Sequence, residues 1–313
     1  MSRKNSLLLA ISILTITGAT IWVAELPPAK EIQNAAKVNS VLRAPQTYDG
    51  EHIERLAALG AEAVPAIGNE LTAGYAYPVD LLYALREIEN PSAAAPIVHF
   101  VLARKPHSDN DVSFITAEAI RVLAKLPSRS SCAPLLEVLR DESAHPRIRL
   151  ATSAALINAC DGAVEAEAED QIQRFYGDRD RYLQQVNDGF GLTELLSTLL
   201  LASDSDAVAE VSVNVLTDFP LHGMVSAVIQ SIKPETPGYG EALDAVLSGQ
   251  SVPLENRLAA AEALVAHYGP SIDGLQEKIV ALKRDAEEDG YPMEILERAR
   301  MLELNSGATD QIR

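Results

Sequence analysis

The clearest pattern in this chain runs over residues 130–159. Pro134-Leu135-Leu136-Glu137-Val138-Leu139-Arg140 spaces its apolar residues as one face of an α-helix does. The polar run Asp141-Glu142-Ser143-Ala144-His145-Pro146 interrupts it, with a proline suited to the first turn of a new helix. Arg147-Ile148-Arg149-Leu150-Ala151-Thr152-Ser153-Ala154-Ala155-Leu156 then starts that helix. The unit is therefore predicted to be two short helices joined by a tight polar turn.

Similar units return along the chain. Residues 54–71 read ERLAALGAEAVPAIGNEL, with Pro65 near the start of a second helix. Residues 81–102 (LLYALREIENPSAAAPIVHFVL) and 117–139 (AEAIRVLAKLPSRSSCAPLLEVL) carry Pro96 and Pro134 in the corresponding place. Residues 256–279 form another copy, and residues 207–232 a weaker one. With the leucine of each Ala/Val-Leu pair as a ruler, the marks are Leu85, Leu123, Leu156, Leu216 and Leu264, separated by 38, 33, 60 and 48 residues. Self-similarity at this period marks stacked helix pairs, because a single pair cannot bury its own apolar face.

The apolar helix ending at an Asp, the Ile-Arg pair opening the next, and the Ala-x-x-Ala-Leu run resemble the HEAT-repeat consensus over roughly residues 51–282. That resemblance implies an all-α, right-handed α-solenoid of HEAT-like helix pairs. It also implies a docking face lined by the second helices, here including Glu70, His99, Glu137 and Gln230. Tetratricopeptide units need an early Trp, and ankyrin units a Thr-Pro-Leu-His run; neither occurs in the repeats.

Before the repeats, Arg3 and Lys4 precede an uncharged stretch of 18 residues, Leu7 to Ala24, with Trp22 near its end and Glu25, Pro27 and Pro28 beyond it. This length is at the lower limit for a membrane-spanning helix, and the cationic flank places the start in the cytoplasm and the body on the other side. The expected organisation is a signal anchor over residues 1–26, with signal-peptide cleavage after Thr17-Gly18-Ala19 as the alternative. A linker or capping helix follows over 27–47, then repeats over 48–160. An irregular or extended element takes 161–192, repeats and a C-terminal cap 193–304, and a tail 305–313. The expected location is thus a single-pass membrane protein with a periplasmic body, or a secreted one after cleavage.

Composition narrows the function. The net charge is −18, and without Arg3 and Lys4 the rest holds 24 basic against 44 acidic residues, or −20. Such a body repels phosphate backbones, so nucleic-acid binding is not expected. No phosphate-loop, nucleophile-elbow, His-Glu-x-x-His or Cys-x-x-Cys signature is present, and no cofactor is expected. His107, Asp109 and Asp111 share one stretch, read as an interhelical loop whose Asp111 caps the next helix rather than as a metal site. Glu165, Glu167, Glu169 and Asp170 read as a solvated helix start, since alternate carboxylates do not share a helix face. Asp204 and Asp206 read as turn and capping residues.

Cys132 opens one helix and Cys160 closes the next, so the hairpin brings these ends together. The two helices differ in length, about nine residues against fourteen. Two buried thiols are expected, with a disulfide as the alternative.

Arg174, Phe175, Tyr176, Arg179, Arg181 and Tyr182 concentrate cations and aromatics in an otherwise acidic, aromatic-poor chain, where the repeat falters. Local packing is the plainer reading, with Phe175 and Tyr182 filling the core and the arginines neutralising Glu165 to Asp170. Arg174, Tyr176, Arg179, Arg181 and Tyr182 are nevertheless the candidate partner-binding residues, because Tyr and Arg dominate interface energies and a positive patch would steer an acidic protein or peptide. Tyr75, Tyr77 and Tyr83 read as packing. The expected function is a non-enzymatic binding scaffold. A HEAT-like lyase or accessory subunit, which the resemblance also allows, and a purely structural envelope protein are the alternatives.

Overall fold

The computed structural model describes residues 29–44, 50–104, 110–126, 128–178 and 190–306. The chain is all-helical: sixteen α-helices and no strand occur among the described residues. The N-terminal segment Leu7 to Ala24 and the tail beyond residue 306 lie outside them. No helix of the described residues is long and apolar enough to cross a membrane.

The helices pack as two rows, each helix touching the next but one along the chain. The first row holds α1 (Ala29–Leu42), α3 (Val64–Thr72), α5 (Ala94–Ala103), α7 (Cys132–Arg140), α9 (Ala163–Gly177), α11 (Asp206–Asp218) and α13 (Tyr239–Ser248). The second holds α2 (Glu51–Ala57), α4 (Pro78–Ile88), α6 (Asn110–Lys125), α8 (Pro146–Ala159), α10 (Phe190–Leu201), α12 (Val225–Ser231), α14 (Leu254–Tyr268) and α16 (Met293–Asn305). Helix α15 (Leu275–Glu288) packs on α14 and α16 and is tied to α13 of the first row by the Lys278–Asp244 ion pair.

Proline and polar side chains start the helices as the sequence suggests. Pro65, Pro78 and Pro146 occupy the first turns of α3, α4 and α8, where a missing N–H costs nothing. Between the rows lies one continuous core that takes in Leu85, Leu123, Leu156, Leu216 and Leu264.

Helix α8 shows what two-row packing demands of a sequence. It touches α6, α7, α9 and α10, and every residue from 150 to 157 is buried. A helix enclosed on all sides cannot be strongly amphipathic, and its middle, Leu150 to Ile157, is made of small and mostly apolar residues on every face. Its two hydroxyls donate back to the helix: Thr152 Oγ1 to Ile148 O at 2.7 Å and Ser153 Oγ to Arg149 O at 3.1 Å. Near its end, Asn158 Nδ2 donates to Ala124 O of α6 at 2.9 Å and to Leu201 O of α10 at 2.8 Å, joining three successive helices of one row. Asn256 of α14 donates likewise to Pro220 O and His222 O, at 2.9 and 3.0 Å.

Several sequence expectations need correction. Leu216 belongs to α11, in the first row, whereas Leu85, Leu123, Leu156 and Leu264 belong to the second. The 60-residue step thus measures a jump between rows, with α10 as the intervening second-row helix. For the same reason Gln230, on α12, is not on the row of Glu70, His99 and Glu137. Within 161–192, where the sequence allows either an extended helix or an inserted element, Ala163–Gly177 is one continuous helix of 15 residues in the first row, longer than the 9 and 10 of α7 and α5. Helix α6 begins at Asn110, so Asp111 lies inside its first turn and not at its cap. The cap of α11 is Ser205, whose Oγ accepts from Val208 N at 3.2 Å, and Asp206 instead pairs with Lys233 at 3.0 Å.

Candidate functional site

An opening lies along the first row beside the long helix α9. Beyond the end of α7 the turn of residues 141–145 leads into α8, and α9 runs past it. The space left between is an open groove of about 790 Å3, bordered by Arg140, Glu142, His145, Arg149, Glu167, Asp170, Arg174 and Asp178 among others.

Charges in this groove are largely matched. Arg140 forks onto Glu167, Nε to Oε1 at 2.7 Å and Nη2 to Oε2 at 2.6 Å. The hydrogen bond to Arg140 holds the Glu167 carboxyl below its usual range, and the same bond raises the Arg140 guanidinium. One turn on, Arg174 pairs with Asp170 at 2.6 Å. Arg149 lies over the ring of Phe175, 5.2 Å from its centre. His145 Nδ1 accepts from Arg147 N at 3.2 Å and caps α8; burial, then the Arg147 charge, lowers its pKa. Glu169 accepts from Ser205 Oγ at 2.6 Å instead. The acidic start of α9 therefore sends its carboxylates to different partners, as helical geometry requires.

The candidate residues separate accordingly. Arg174 borders the groove and is exposed, but its charge is met by Asp170. Tyr176 turns away, donating to Asp218 Oδ2 of α11 at 2.6 Å. Phe175 is buried in the core. Arg179, Arg181 and Tyr182 lie outside the described residues, as do His107, Asp109 and the side chain of Asp111. Elsewhere in the described residues, no group of three or more His, Cys, Asp or Glu is placed to hold a metal ion. Tyr75 and Tyr83 are half-buried against the core, and Tyr77 is exposed.

A second groove, of about 500 Å3, lies between α3 and α5 and is bordered by Asn69, Thr72, Ser92 and His99. Its floor is close-packed: a Cβ on Gly68 would stand 2.6 Å from Pro96 Cβ, so only glycine lets α5 approach α3 this closely.

Cys132 and Cys160 form a disulfide, with their Cα atoms 5.9 Å apart. The expectation of two free thiols is thus corrected: the unequal helix lengths do not matter, because the bond joins the start of α7 to the residue just after α8, where the hairpin closes on itself. Comparison with known proteins finds no match. No family model fits the chain, and neither a curated protein nor a solved structure is significantly similar to it.

The other polar feature was hidden from the sequence. Glu194 of α10 is paired with Arg121 of α6 and, at 3.0 Å, with Arg147 of α8; Arg121 also pairs with Glu118, to which Tyr83 OH donates at 3.4 Å. These residues span four helices of the second row. No local signal links positions so far apart, and each reads alone as an ordinary surface charge.

Proposed function

We propose that this chain is a right-handed, HEAT-like α-solenoid acting as a non-enzymatic protein-binding scaffold, anchored by its N-terminal hydrophobic segment with its body on the extracytoplasmic side of a membrane. The observation that carries the reading is that two first-row openings, between α3 and α5 and between α7 and α9, are open grooves bordered in part by polar residues. Stacked helix pairs give such a row a repeating, rigid surface. Departures from the repeat, such as the long α9, change that surface without disturbing the core. Glu70, His99 and Glu137 stand on the same row. The disulfide supports an oxidising compartment, in agreement with the charge asymmetry around residues 7–24.

Photo-reactive side chains placed one at a time along the two rows test this in intact membranes. Asn69, His99, Glu137 and Gln171 sample the first row, and Arg55, Glu87 and Lys125 the second. Cross-links to another protein are expected from the first set and not the second. Equal capture from both rows, or capture from the second alone, would remove the basis for the reading.

A further inference from the structure

Helix α16 carries an exposed apolar stripe. On α16, Met293, Met301 and Leu304 are exposed (77%, 48% and 49%), and with Glu297 they form one stripe at positions i, i+4, i+8 and i+11. Ala299 and Leu302 on the opposite side are buried. Beside this stripe, between α14 and α16, is a groove of about 420 Å3 bordered by Glu262, Glu294, Glu297, Arg298, Met301 and Leu302.

The charge of the groove says what would cover it. Arg298 forks onto Glu262 at 2.7 and 3.1 Å, so those two charges are matched. Glu294 and Glu297 make no ion pair among the described residues, and the border carries a net charge of two negative units. Arg300, the remaining cation of α16, is outside the groove border. Met301 and Leu302 next to the carboxylates of Glu294 and Glu297 suit a ligand that sets cations beside an apolar stripe. A second copy of the chain would bring two acidic rims together. Methionine is adaptable enough to receive a helix face without a fixed knob pattern.

We propose that the groove between α14 and α16 binds a basic amphipathic helix of a partner protein. The inference stands on this surface alone and does not require the α3–α5 or α7–α9 grooves to dock anything. Helix α16 has 13 residues and is about 20 Å long, so four turns of peptide helix match it.

The test uses the full-length chain in detergent and a synthetic Leu/Lys amphipathic peptide of about 14 residues, followed by fluorescence anisotropy. A Leu/Glu peptide of the same apolar pattern is the control. The Leu/Lys peptide is expected to bind, with affinity falling as salt rises, and the Leu/Glu peptide to remain free. Glu294→Lys with Glu297→Lys should weaken binding at least tenfold, as should Met301→Asp; all three positions are exposed or rim positions, so helix content should be unchanged. Glu31→Lys with Glu54→Lys, the same charge change at the other end of the chain, should leave affinity within twofold. Absence of binding overturns the proposal. Equal loss from both double variants overturns it too, as general attraction to an acidic protein. Concentration-dependent dimerisation abolished by Met301→Asp would assign the groove to a second copy and likewise overturn it.

Discussion

Arg147 and Glu194 are an ion pair in which both partners are more than nine-tenths buried, joined at 3.0 Å between α8 and α10. Glu194 also receives Arg121 from α6. Desolvating two guanidinium groups is tolerable only while the carboxylates face them, so removing one partner costs more than the pair contributes. Glu194→Gln should lower unfolding free energy by about 3–5 kcal/mol, whereas Glu31→Gln, on an exposed turn, should change it by less than about 0.5 kcal/mol. Urea denaturation of the two variants is the measurement, and similar midpoints would mean that the network does not bind the row together.

The disulfide closes a segment whose ends are 28 residues apart. Replacing Cys132 and Cys160 by Ser should destabilise the chain by about 3–4 kcal/mol, the entropy regained by an unfolded loop of that size. Reductant should shift the melting of the wild type and leave the double variant unmoved. If reductant changes neither, the thiols are not bonded in the purified protein.

Leu156 is fully buried in α8, a helix enclosed by four neighbours. Leu156→Asp should cost at least about 4 kcal/mol, since it would bury a carboxylate in the hydrophobic core. A melting temperature within a degree of wild type would mean that the face assigned to the core is exposed.

His145 and His222 each use Nδ1 to accept a backbone N–H two residues on, from Arg147 and Met224 respectively, both at 3.2 Å. Burial lowers the pKa of both below the usual histidine value, with the Arg147 charge adding to the effect at His145. A depressed histidine pKa favours the neutral ring in the folded state. The stability it contributes is therefore present above the unfolded value of about 6.5 and lost as pH falls below it. As pH falls below about 6.5, the wild type should lose stability more steeply than His145→Asn/His222→Asn, in which the amide oxygen can still accept. Parallel pH curves in chemical denaturation would argue against histidine caps as the cause.

Arg3 and Lys4 lie on one side only of an 18-residue uncharged stretch. A reporter fused after Arg313 that requires an oxidising compartment should be active, and one that requires the cytoplasm silent. The reverse pattern would overturn the topology.

Local pattern determined the helices. Pro134 to Arg140 and Arg147 to Leu156 were legible as two helices because periodicity, a proline in the first turn and a polar break are properties of neighbouring residues. That α8 is enclosed on every side was decided by the packing of its four neighbours. Which row a helix joins is not local. It depends on how many helices intervene, and Leu216 passed for a second-row leucine because the Ala/Val-Leu pair looks the same in either row. The same holds for the candidate site. The sequence collected Arg174, Phe175 and Tyr176 into one patch, but successive residues on a helix point in different directions. Tertiary contacts sent Arg174 to Asp170 at the groove, Phe175 into the core and Tyr176 to Asp218. Only the packed helices could bring Arg147 to Glu194 and Cys132 to Cys160, because those approaches are made by the rows and not by the chain between them.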